Sequence, residues 1–126
     1  MSHLVDASAV LTFILQEPGS ENAERWLFGA SISTVNQSEV LRKLVDSGLQ
    51  MADALQQLDR CELDILNFDR NQAVEAARLR PLTRHLGLSF ADRACLALCI
   101  LNDLPVYTAD KDWSKLDLGI DIRQIR

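Results

Sequence analysis

At 126 residues and 48% hydrophobic content, the chain has room for a single domain, residues 1–126, that buries roughly two thirds of its unfolded surface. No apolar run approaches the roughly 20 residues that span a bilayer, and the opening MSHLVDASAV carries an acid where a signal peptide stays apolar, so a cytoplasmic protein without membrane contact is expected. A formal net charge of -5 argues against a nucleic-acid partner, unless the acids gather around metal ions.

In chain order, residues 3–5 read as a short strand ending at Asp6, and ASAVLTFILQ as a buried helix closed by Glu17, Pro18 and Gly19. Ser20 is placed to cap a helix running to Leu27; Gly29 stops it, and SISTV supplies a second strand. A helix over 37–47 follows, with Val40, Leu41, Leu44 and Val45 on one stripe and Gly48 at its end. Residues 51–61 repeat the pattern with Leu55 and Leu58, which predicts an antiparallel helix pair.

Residues 63–68 read as a third strand, and Asp69 with Gln72 as a capping box for a helix ending at Pro81. Ser89 with Asp92 makes a second box, opening the apolar helix FADRACLALCIL, which stops near Asn102. Within it Cys95 and Cys99 sit one turn apart; like the isolated Cys61 they read as small core residues, not as a disulfide framework or zinc knuckle. A fourth strand over 105–108, a short helix over 111–116 and a last strand over 120–125 complete a β-α alternation, which implies a parallel sheet between helices.

The acids follow this pattern. Asp6 closes the first strand and Asp110 follows the fourth, at the carboxyl edge where open α/β sheets place ligands. Glu39 lies early in the helix after the second strand and Asp92 in the first turn of the helix before the fourth, so four carboxylates can converge. Packed together they resist ionisation unless a cation neutralises them, and an all-oxygen ligand set selects Mg²⁺ or Mn²⁺. With only His3 and His85, metal-activated water is the economical nucleophile. Each acid also has a local reading: Asp6 and Asp110 as helix caps, Glu39 as the partner of Lys43, Asp92 as a capping-box member.

VDASAV, the Glu39 in STVNQSEVL, the block LSFADRACLAL and the segment VYTADKDW occur in the order found in PIN-domain proteins. The last two blocks are specific for VapC-like toxins, and the resemblance spans essentially the whole chain. It implies a three-layer α/β/α fold with a short-stranded, mainly parallel sheet. It further implies a Mg²⁺- or Mn²⁺-dependent endoribonuclease in which Asp6, Glu39, Asp92 and Asp110 match the acidic positions. Ser8 and Thr108 match a small hydroxyl residue beside the first and last acids, where it orients a carboxylate or water, although strand-end usage explains them equally. Asp112 is a fifth acid that can assist through water or face solvent; direct ligation is not expected of it.

Arg78, Arg80, Arg84 and His85, with Arg93 beyond, form the densest basic stretch and can hold RNA phosphates or simply solvate a helix end. The resemblance also implies homodimers and a toxin–antitoxin hetero-oligomer, in which a VapB-like antitoxin lies near the acidic pocket and can insert an arginine. Its RNA substrate would be transfer RNA first, other structured RNA second. A haloacid-dehalogenase-type enzyme needs an acid where Ser8 stands, and a receiver domain needs an acid pair that the Asp6 neighbourhood lacks. The competing non-enzyme reading is a catalytically silent PIN-like module that binds RNA or protein, with its acids serving as caps.

Overall fold

Successive strand side chains point to opposite faces, so even a two-residue strand can serve two cores. In the computed structural model, which describes residues 2–126, β1 (Leu4–Val5) does this: Leu4 joins one hydrophobic cluster and Val5 the other. β2 (Ser31–Ser33), β3 (Asp64–Leu66), β4 (Val106–Thr108) and β5 (Ile122–Gln124) complete a sheet of order β3-β2-β1-β4-β5 in which every pairing is parallel. Val106 and Tyr107 repeat the division of β1.

The helices α1 (Ala7–Ile14), α2 (Ser20–Leu27), α3 (Thr34–Asp46) and α4 (Met51–Asp59) pack on the face that carries Val5, Ile32 and Tyr107. On the other face α5 (Arg70–Arg78), the short α6 (Arg80–Thr83) and α7 (Phe90–Asn102) close over Leu4, Val106 and Trp113. The result is the expected three-layer α/β/α arrangement, with a sheet that is wholly rather than mainly parallel. α7 is apolar nearly all round because it lies against both the sheet and neighbouring helices; Ala94 through Cys99 are all buried. Cys61, Cys95 and Cys99 are free and buried, as expected of core residues. Among the described residues no helix is long and apolar enough to cross a membrane.

Several boundaries differ from the sequence expectation, each for a local reason. Thr34 and Val35 belong to α3, not to β2, because the Ser33 hydroxyl accepts the Val35 N–H and starts the helix there. Ser20 is the first residue of α2, not its cap; Gly19 stands at the cap position with φ +96°, a conformation glycine tolerates. The Asp69 box is half formed: its side chain accepts from Gln72 N–H, but the Gln72 amide turns to the Asn67 carbonyl. Pro81 does not end the helical path, because it falls in the first turn of α6, where its missing N–H is harmless.

Candidate active site

In an all-parallel sheet every strand delivers its successor loop to the same edge. Strand order reverses between β1 and β4, the position at which open α/β sheets generally place their ligands. Asp6 follows β1 directly and Asp110 lies just beyond β4. Glu39 sits in the second turn of α3, which leaves β2, and Asp92 in the first turn of α7, which packs on β1, β2 and α3.

Asp6 is 3% exposed and caps α1 by accepting the Ala9 N–H at 3.0 Å. Two hydroxyls converge on it. Ser8 Oγ lies 2.7 and 2.9 Å from its two oxygens, and Thr108 Oγ1 donates to Oδ2 at 2.7 Å. Both hydroxyls accept backbone N–H groups, Ser8 from Ala109 and Thr108 from Asp110. Each hydroxyl thus accepts one N–H and directs its single O–H proton to Asp6, with the two hydroxyl oxygens 3.2 Å apart. The role anticipated for Ser8 and Thr108, orienting the first carboxylate, has this geometry. Burial nevertheless outweighs these bonds and raises the Asp6 carboxyl from its ordinary 3.8 to about 6, with the charge of Asp92 adding to the rise.

Asp92 is electrostatically coupled to the other three acids. Its carboxyl is raised chiefly by burial and further by the charges of Glu39 and Asp110, while its own charge acts on Asp6. It closes the capping box with Ser89, Oδ2 accepting the Ser89 N–H at 3.0 Å. Asp110 likewise accepts the Asp112 N–H through Oδ1 and keeps Oδ2 free. Glu39 pairs with Lys43 at 3.3 Å through one oxygen. The local roles read from the sequence are therefore real, and among the described residues Asp110 and Glu39 each keep one oxygen outside those contacts.

Of the remaining candidates, Asp112 is turned to solvent and pairs with Lys115 at 3.2 Å, so its backbone serves Asp110 while its carboxylate does not. Arg78 is paired with Glu75 in a two-pronged contact. Arg80 and Arg84 are exposed and have no carboxylate partner among the described residues. Arg93 is turned partly inward: its guanidinium donates to the Ala76 carbonyl at 3.0 Å and lies 5.8 Å from the Phe90 ring centroid. Sequence reasoning missed Asn36, which is 1% exposed and donates to the Ala91 carbonyl at 3.0 Å, tying α3 to the first turn of α7. The available signal was a polar residue on the Asn36, Val40, Leu44 stripe.

The donor set suits a hard divalent cation. It is all oxygen and anionic, its members repel one another, and among the described residues Lys43 is the one cation paired with any of the four acids. As they stand, no three His, Cys, Asp or Glu side chains among the described residues are spaced to share one ion, so holding one requires the free oxygens to turn inward. The surface concavity of about 330 Å³ lined by Cys99, Asp103, Pro105 and Asp121 lies at the opposite, amino edge of β4 and β5, away from these acids.

Fold and site together define an α/β domain with acidic residues gathered at its strand reversal. The chain belongs to the PIN domain family, whose model matches residues 3–118. No curated protein matches the sequence. Among solved structures, the chain is similar to one of VapBC2 from Rickettsia felis bound to a promoter DNA fragment, with 16% identity, TM-score 0.76, and 98% of each chain covered. It is also similar to DNA-bound VapBC from Salmonella typhimurium, with 15% identity, TM-score 0.76, and 100% of this chain and 99% of that one covered. A third is VapBC-5, a VapBC-family toxin–antitoxin structure from Mycobacterium tuberculosis, with 26% identity, TM-score 0.66, and 99% and 98% covered.

Proposed function

We propose that this protein is a VapC-like toxin, a metal-dependent endoribonuclease that hydrolyses RNA phosphodiester bonds as a single domain in the cytoplasm. The observation that carries the reading is the placement of the four acids: Asp6 and Asp110 directly after β1 and β4, where strand order reverses, with Glu39 and Asp92 on α3 and α7, which pack against each other. These four residues would hold Mg²⁺ or Mn²⁺, and the bound cation would supply an activated water and neutralise charge on the phosphate. Ser8 and Thr108 hold Asp6 in one orientation and favour its ionised form against burial. Arg80 and Arg84, free of acidic partners among the described residues, are the basic side chains best placed to take RNA phosphates.

The partners follow from the same reading. Solved structures of matching fold come from VapBC pairs, which supports a VapB-like antitoxin for this chain, within a homodimer and a hetero-oligomer. An arginine inserted among four acids would take the place of the cation and silence the site. Transfer RNA is the first substrate to test. The silent-module reading is favoured by one observation, that each acid also serves as a cap or ion-pair partner.

The deciding experiment uses the chain purified free of antitoxin and a total transfer-RNA pool, with Mg²⁺, with chelator, and with Asp92→Asn. Cutting that requires the metal and is abolished by the substitution is expected. A folded wild type that binds the metal and leaves transfer, ribosomal and messenger RNA intact would overturn the nuclease in favour of the binding module.

A further inference from the structure

We propose that Phe90 is a stacking platform for one unpaired base of the RNA, beside the phosphodiester addressed by the carboxylates. The inference rests on the nuclease reading above and deepens it by naming single-stranded or looped RNA as the substrate form. α7 begins at Phe90, so its ring and the Asp92 carboxylate leave the same first turn, two residues apart and on different sides of it. The ring is 50% exposed, although α7 is otherwise buried along its middle.

Isolated exposed apolar side chains are ordinary, and exposure alone assigns nothing. What distinguishes Phe90 is that two neighbours fix it while half of the residue stays exposed. Phe68 meets it edge to face, with centroids 5.5 Å apart at 86°, and the Arg93 guanidinium lies 5.8 Å from its centroid. Each brace is itself anchored: Phe68 N–H donates to Thr34 Oγ1 at 3.1 Å, and Arg93 donates to the Ala76 carbonyl. The ring is thus held in place before any ligand arrives, so little ordering entropy is lost when a base stacks on it.

Position and charge identify the occupant. Phe68 lies just past the carboxyl end of β3, the same sheet edge that carries Asp6 and Asp110, so the ring stands on the β3 side of the acids. Arg80 and Arg84 lie in the segment that leads into Ser89 and are exposed without acidic partners among the described residues. Aromatic rings set among cations are how proteins hold single-stranded nucleic acid: the base stacks and the phosphates pair. Stacking is tolerant of base identity, so Phe90 would select an unstacked nucleotide over a paired one and not a particular base.

The test uses an oligoribonucleotide of about twelve nucleotides carrying one 2-aminopurine, moved position by position, with the whole chain in Ca²⁺. Quenching at one position is expected, together with a roughly tenfold or greater loss of affinity in Phe90→Ala. Phe90→Tyr should retain both, whereas Phe90→Leu, equally apolar but not aromatic, should behave like Phe90→Ala. An abasic site at the quenched position should weaken the wild type and leave Phe90→Ala unchanged. Unchanged affinity in Phe90→Ala or Phe90→Leu, absence of quenching, or no RNA binding at all would overturn the platform. So would loss of a protein partner by Phe90→Ala with RNA binding intact. The two readings fail separately: position-specific quenching without cleavage in Mg²⁺ or Mn²⁺ would sink the nuclease alone, and cleavage with an unchanged KM in Phe90→Ala would sink the platform alone.

Discussion

Replacing Asp6 with asparagine removes a buried charge while keeping the shape of the side chain. The carboxyl is raised from 3.8 to about 6 in the folded protein, so between those values the folded state holds a proton that the unfolded chain has released. The contribution is therefore fully present below pH 3.8, is lost as pH rises towards and through 6, and leaves the ionised native protein about 3 kcal/mol less stable than one without the charge. The amide resembles the protonated acid, since each has a neutral head facing the Ser8 and Thr108 hydroxyls, and the comparison isolates the charge. In chelator, urea denaturation should show Asp6→Asn and wild type matched near pH 3.5 and the variant about 3 kcal/mol more stable at pH 7.5. Mn²⁺ at a thousand times Kd should reverse the order, because it then stabilises the wild type by about 4.1 kcal/mol and the variant far less. A variant no more stable than wild type at pH 7.5 in chelator would refute the argument from burial. Equal stabilisation of both proteins by Mn²⁺ would refute the place of Asp6 at the metal.

Thr108→Val keeps the volume but removes both the donor to Asp6 and the acceptor of the Asp110 N–H; titration calorimetry should find Mn²⁺ affinity down about 10- to 100-fold. An unchanged affinity would reduce the hydroxyl to a strand-end contact. Asn36→Ala removes the bond from α3 to the first turn of α7 and leaves the Ala91 carbonyl without that donor, so urea denaturation should show a loss of about 1–3 kcal/mol. Burial pushes the Cys61 thiol up to about 11, and the hydrogen bond with Cys99, followed by burial, raises Cys95. The native protein should therefore leave Ellman's reagent unconsumed at pH 8 until denaturant is added, and prompt reaction of any thiol would contradict the packing.

Much of this was legible in the sequence because the acids have local duties. A capping aspartate must stand where a helix begins, and in a parallel β-α fold the helices that follow strands begin at the carboxyl edge, so Asp6 declared both a cap and an edge position. The β2 boundary was not legible: Thr34 and Val35 are β-branched and favour strand, and the Ser33 cap overrode that preference. Asn36 carried no readable partner, because the carbonyl it meets is 55 residues away in sequence. Arg93 read as one of a basic run, yet helical geometry swung it towards α5 while Arg80 and Arg84 stayed outside.

The bond from Thr108 to Asp6 joins positions 102 residues apart, and its consequence concerns timing during synthesis. A chain emerging from the ribosome through the end of α7 already carries Asp6, Glu39 and Asp92, but not the hydroxyl that steadies the first of them or the fourth acid. Until β4 docks beside β1, the site has one side and its buried aspartate lacks a principal donor. The site is therefore the last part of the molecule to be assembled, complete only when the final strands have been made and docked.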